Sequence, residues 1–153
     1  MLPDATVVRS ILATAGVGSC EIAESTLGLV CAVAPADAPS ALAALKASEL
    51  GFVMLVDLLG TDTGERIEIT YHVRSFTRDE EVFVKAQLPY DAELASVWEI
   101  FPAALMPERE TAELLGLALS GHPNPKRLLT TEGVPPLLRK SVAVRSVEEM
   151  RDR

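Results

Sequence analysis

Three groups of residues in this sequence have side chains and spacing suited to chemistry. Glu108, Glu110 and Glu113 bracket Arg109, a density of carboxylates that metal binding or acid–base work would need. His122 stands in the stretch SGHPNPKR, between Gly121 and Pro123, with Lys126 and Arg127 close behind. His72 and two cysteines, Cys20 and Cys31, complete the set. On a helix, Glu110 and Glu113 share a face, as do Arg109 and Glu113. No histidine stands at ligand spacing from these carboxylates. The expectation is therefore a first-turn role for Glu108 and Glu110 after Pro107, where the helix dipole favours acidic side chains. Arg109 then pairs locally or with a partner chain. At His122, the preceding glycine permits a bend, while Pro123 and Pro125 keep the chain extended. Such a segment holds a side chain in one place, which suits a site and an interface equally; a structural or interface role is the expectation.

The remaining signals for chemistry are weaker. His72 lies in an alternating stretch on the same face as Arg74 and Glu68, a polar face that suggests a solvated or interface histidine. AGVGSC contains GxG, but it follows a helical pattern and precedes a strand, the wrong order for a dinucleotide fingerprint. No serine or cysteine has a plausible base nearby in sequence. Cys20 and Cys31 are in no CxxC arrangement and cannot form a four-thiolate zinc or iron–sulfur site by themselves. Buried, reduced thiols in a cytoplasmic protein are expected.

The elements that must position these residues follow from periodicity. Asp4 can cap a helix over ATVVRSILATA, with Val7, Val8, Ile11 and Leu12 as its apolar stripe and Gly16 and Gly18 at its end. TLGLVCAVA predicts a strand, and APSALAALKAS a second helix with Leu42 and Leu45 inward and Pro39 in its first turn. FVMLVDLLGTD is an almost continuous apolar run, the pattern of a strand covered on both faces. Ile67, Ile69, Tyr71 and Val73 alternate with polar residues, as do Val82, Val84 and Ala86, so two half-buried strands are expected, with RDEE as the hairpin turn between them. Beyond Pro89, helical periodicity interrupted by Pro102 and Pro107 predicts two short helices, roughly 92–101 and 107–115. After Gly116 the periodicity fades into turns and extended chain. The fold class is α+β: a mixed or antiparallel sheet with helices packed mainly on one face, and an extended C-terminal tail.

At 153 residues with 48% hydrophobic content, the chain has the size and composition of one globular domain. Its net charge of −8 disfavours nucleic acid as a partner. That total is uneven. Residues 1–121 carry 18 acidic and 7 basic side chains, whereas residues 122–153 carry 4 acidic and 7 basic ones and four of the ten prolines. An acidic domain over 1–121 and a basic, proline-rich tail over 122–153 are the expected division. The N-terminus lacks the basic start and apolar run of a signal peptide, and no apolar stretch approaches the ~20 residues of a membrane span.

Taken together, PERETAELLGLALSGHPNPKRLL and PPLLRK resemble the signature of the C subunit of bacterial NADH-quinone oxidoreductase, the thirty-kilodalton subunit of respiratory complex I. The matching residues are Glu108-Arg109-Glu110, Glu113-Leu114-Leu115-Gly116, Gly121-His122-Pro123, Arg127-Leu128-Leu129 and Leu137-Leu138-Arg139-Lys140. The upstream stretches LGFVMLVDLLGTD, ERIEITYHV and VFVKAQL are similar to the family's strands, so the likeness runs from about residue 40 to 140. The family usually has a tryptophan where this chain reads Ala104-Leu105-Met106-Pro107, and an acidic residue where it has Ser141.

The resemblance implies a non-catalytic structural subunit of the hydrophilic arm of a proton-pumping NADH:quinone oxidoreductase. Such a subunit packs against the D subunit, which forms the quinone pocket together with the B subunit, on the cytoplasmic side of a bacterial membrane. It holds no cofactor itself; FMN, iron–sulfur clusters, NADH and quinone belong to the rest of the complex. Glu108, Arg109, Glu110, His122, Arg127, Arg139 and Lys140 are the expected partner contacts. A homologous subunit of a membrane-bound energy-converting hydrogenase is the alternative. A third possibility is an autonomous small enzyme with Glu110 and His122 as an acid–base pair, which requires the two to converge in one pocket.

Overall fold

The computed structural model describes residues 2–143. The first helix, α1 (Ala5–Thr14), begins where the Asp4 carboxylate accepts the Thr6 N–H. Only Val8 and Leu12 of its expected stripe are fully buried; Val7 is exposed. Two strands follow, β1 (Cys20–Glu24) and β2 (Leu29–Val33), then α2 (Ala38–Ala47), which buries Leu42 and Leu45. Each such fully buried leucine contributes about 1.5–3 kcal/mol relative to exposure. The central strands are β3 (Met54–Asp62), β4 (Ile67–Ser75) and β5 (Glu80–Leu88). A short strand, β6 (Glu93–Ala95), leads to a 3-10 turn at Pro102–Ala104, then α3 (Leu105–Leu115) and β7 (Ala118–Ser120).

Five strands form one mixed sheet in the order β1-β2-β5-β4-β3, and β6 pairs with β7 in parallel. Within the larger sheet, β2 and β5 run parallel and the other neighbours antiparallel. The alternating residues of β4 and β5 behave as their period of two requires. Ile67, Ile69, Tyr71, Val73, Val82, Val84 and Ala86 face a core shared with α2 and α3, and their neighbours form the opposite, polar face. On that second face His72 stacks on Phe83, its ring centroid 4.3 Å away, and meets Glu81 at 3.1 Å, while Lys85 pairs with Glu68 at 2.8 Å.

Three expectations need correction. The apolar run in β3 does not mark a strand covered on both faces: β3 is a sheet edge, and Met54, Val56 and Leu59 are exposed. Residues 92–101 form no helix; β6 instead finds its partner, β7, more than twenty residues later. The hairpin turn spans 76–79, so the final two residues of RDEE belong to β5, and Glu80 lies on its buried face. The strand β1 was not apparent from its polar composition.

One contact fixes where α3 lies. A Cβ at Gly60 in β3 would stand 2.3 Å from Leu115 Cδ1 and 2.6 Å from Thr111 Cγ2, so the helix rests directly on glycine backbone.

Candidate partner interface on the third helix and C-terminal segment

Pro107 is the third residue of α3, where its missing N–H has no intrahelical partner to lose. The helix ends at Gly116, whose φ of 69° is left-handed. A side chain there would also press on Pro136, with Cγ 3.1 Å away, so the glycine lets the C-terminal segment close over the helix end.

Glu108 faces inward. It is fully buried, accepting the Val97 N–H at 2.7 Å and the Ser96 hydroxyl at 2.5 Å. Burial pushes its carboxyl pKa up, against the lowering effect of those hydrogen bonds. His122 is the other half of this polar knot. Its Nε2 donates to the Leu105 carbonyl at 2.8 Å and its Nδ1 accepts the Asn124 N–H at 3.0 Å, which describes the neutral Nε2–H tautomer. Glu108 Oε2 lies 3.8 Å from that same Nε2. The Trp98 indole donates to the Gly121 carbonyl at 3.0 Å and ties the 98–100 turn to the same corner.

Arg109 and Glu113 hold the next stretch of chain. Arg109 Nε donates to the Lys126 carbonyl at 2.7 Å and its Nη2 to the Arg127 carbonyl at 2.9 Å. Glu113 accepts the backbone N–H groups of Leu128, Leu129 and Thr130, and also the Thr130 hydroxyl. These donors, the Thr130 side chain first, hold the Glu113 pKa down at about 2.

Farther along, Arg139 donates to the carbonyls of Leu115 at 2.6 Å, Gly116 at 3.0 Å and Tyr90 at 2.5 Å. Its guanidinium also lies 5.2 Å over the Tyr90 ring. Asp62 accepts the Tyr90 hydroxyl at 2.7 Å, the Gly64 N–H at 2.8 Å and the Lys140 N–H at 2.8 Å. The tyrosine hydroxyl leads in lowering the Asp62 pKa. Residues 122–143 are thus laid along α3 and pinned to the domain by four side chains: Arg109, Glu113, Asp62 and Arg139.

Of the expected contact residues, Glu110, Arg127 and Lys140 are exposed, Arg109 and Arg139 are partly buried, and Glu108 and His122 are buried. No hydrogen bond or ion pair joins Glu110 to His122 among the described residues. Residues 144–153 of the expected tail lie outside the described residues. Asp62, Tyr90 and Ser96 were missed. A turn aspartate before Thr63-Gly64 was the available signal for Asp62, but its bond to Lys140 has no local signature.

Among the described residues no three His, Cys, Asp or Glu side chains are grouped to hold a metal, and no helix is long and apolar enough to cross a membrane. The chain is similar to the NADH-quinone oxidoreductase C subunit of Rhodobacter capsulatus, 41% identical over 85 residues, which is 54% of this chain and 43% of that protein. With the C subunit of Methylobacterium sp. (strain 4-46) it shares 37% identity over 107 residues, 66% of this chain and 49% of that one. It therefore spans less than half the length of these relatives. A chain of an archaeal respiratory membrane complex, the membrane-bound sulfane sulfur reductase, superposes with a TM-score of 0.64 at 24% identity, over 76% of this chain and 70% of that one, a likeness of fold. A family described as the respiratory-chain NADH dehydrogenase 30 Kd subunit matches residues 31–148, from the middle of β2 onward, and the chain belongs to that family.

Proposed function

We propose that this chain is a non-catalytic structural subunit in the peripheral arm of a proton-pumping NADH:quinone oxidoreductase, on the cytoplasmic side of a bacterial membrane. In this reading, α3 and residues 122–143 face the quinone-site D subunit, with the B subunit beyond it. FMN, the iron–sulfur clusters and the NADH and quinone sites belong to the rest of the complex. The observation that carries the reading is the family match over residues 31–148, which takes in α3 and the segment pinned along it. Glu108, Arg109, His122 and Arg139 spend their hydrogen bonds within the chain. They brace the surface, as does Arg127, which stays exposed but donates to the Thr130 hydroxyl at 2.7 Å and the Val134 carbonyl at 3.0 Å. The exposed Glu110 and Lys140 are left to meet the partner, where charge complementarity sets orientation and rate of assembly more than affinity.

The test is co-purification of the D subunit with a chain carrying Glu110→Lys and Lys140→Glu. Folding, followed by circular dichroism, should be unchanged, and recovery of the D subunit should fall at least tenfold. Undiminished recovery at moderate salt would count against the interface. The homologous hydrogenase subunit is a second reading, favoured by the departures at Ala104-Leu105-Met106-Pro107 and Ser141. Neighbouring genes separate the two: flavin- and nucleotide-binding subunits point to NADH, nickel-site motifs to hydrogen.

A further inference from the structure

Glu80 has no part in the interface described above. It sits on the core face of β5 opposite Ser75 of β4, only 6% exposed. Its Oε2 has no hydrogen-bond partner among the described residues. The side chain lines a cavity of about 550 Å³ between the start of α1, the stretch 48–50 before β3 and the 76–79 turn. Val7, Ile11 and Leu50 give the cavity apolar walls; the exposed carboxylates Asp4 and Glu49 also line it. Among the described residues that line it, Arg78 is the single cation. Past Val7 and Ile11, a second groove runs between α1 and α2.

A carboxylate oxygen removed from water without a partner is a standing cost to the fold. The aliphatic walls cannot relieve it; a cation can. We propose that the cavity receives the side chain of an arginine or lysine from a partner polypeptide. Its methylene stem would lie on Val7, Ile11 and Leu50, and its charge would meet Glu80. Long cationic side chains bury their stems against apolar surface while the head keeps a polar partner, which matches a cavity with apolar walls and one buried acid. Three carboxylates against one guanidinium select positive charge, and the acidic surplus of residues 1–121 draws cations to this body. The inference rests on the chain working against another polypeptide, but none of the described residues lining this cavity belongs to α3 or to 122–143. Loss of the D subunit in the Glu110 and Lys140 variants therefore neither requires nor excludes it.

The test titrates the full chain with N-acetyl-leucyl-arginine amide, its citrulline counterpart (the same shape without charge) and n-butylguanidinium, read by calorimetry. The arginine peptide should bind at least tenfold more tightly than the citrulline peptide, and Glu80→Gln should remove that preference. Arg78→Ala should leave binding unchanged or tighter, because a competing cation is gone. Glu80→Met should raise Tm while abolishing binding. Equal affinity for arginine and citrulline, or no binding of either, overturns the proposal. So does a fall in Tm on Glu80→Met, which would mean the carboxylate is already satisfied. Binding of n-butylguanidinium as tightly as the peptide would make this a small-amine site and overturn the polypeptide assignment. Self-association that depends on Glu80 would overturn the assignment to a different polypeptide and place a second copy of this chain there instead.

Discussion

Replacing Gly60 by alanine tests whether α3 is set by its rest on β3. The added Cβ would meet Leu115 Cδ1 at 2.3 Å and Thr111 Cγ2 at 2.6 Å, whereas carbon atoms pack at about 3.5–4.0 Å. Either the helix lifts by roughly 1 Å or Leu115 leaves its rotamer. Leu115 is 1% exposed and Thr111 7%, so neither has free space to move into. Overpacking of this kind costs about 1–3 kcal/mol, and two simultaneous clashes place Gly60→Ala in the upper part of that range. The opposing gain, from a stiffer unfolded chain, is only about 0.4–1 kcal/mol, so the clash wins. Urea unfolding followed by circular dichroism gives the value. A double-mutant cycle identifies the cause. Leu115→Ala alone should cost about 2–5 kcal/mol, and the combined variant should be less destabilised than the sum by about 1–2 kcal/mol, because the new methyl occupies the vacated space. A stability within about 0.5 kcal/mol of the parent, or strict additivity, would refute the reasoning.

Three further outcomes are expected. Burial raises the Glu108 pKa, so its contribution is complete below the ordinary carboxyl range and is lost as pH rises through the raised folded value. Glu108→Gln should therefore gain in Tm relative to the parent between pH 4 and 8, and parallel curves would sink this. Glu113 has the opposite sign. Its pKa is held at about 2, so its contribution is present above the ordinary carboxyl range and disappears as pH falls toward that value. In Glu113→Gln, amide exchange at Leu128 and Thr130 should accelerate at least tenfold at neutral pH, with the difference shrinking in acid; equal rates at neutral pH would remove its assigned role. Arg139→Ala should speed exchange of the Leu138 and Lys140 amides, and lysine should not rescue it, since an ammonium cannot match the fork that reaches three carbonyls.

What could be read in advance was what depends on neighbours in sequence. The alternation in β4 and β5 and the leucines of α2 report burial directly, because their periods match their elements. The apolar run of β3 does not say which strand will be the edge; that depends on sheet order, which is set by pairing with β4 alone. Residues 92–101 carry helical spacing, yet β6 is decided by β7 beyond α3, a competitor that a local pattern cannot include. Glu108 stands in the first turn of α3, as expected, but its burial was not legible. Its fate turned on a buried N–H at Val97 that local spacing does not reveal. His122 as a corner was legible from Gly121 and Pro123, whereas its bond to the Leu105 carbonyl was not.

The Asp62 carboxylate bridges 78 positions of sequence to reach the Lys140 amide. Two of its three donors, Gly64 and Tyr90, lie much nearer and leave the ribosome long before residue 140 does. During synthesis the β3–β4 turn and Tyr90 can therefore settle around a carboxylate with one acceptor site still open. The last segment then has a prepared place to land, and the entropy of closing so long a loop is met after the core has formed. On this view, assembly of the chain proceeds in two stages, and a nascent chain stopped before residue 139 would be compact but lack its final latch.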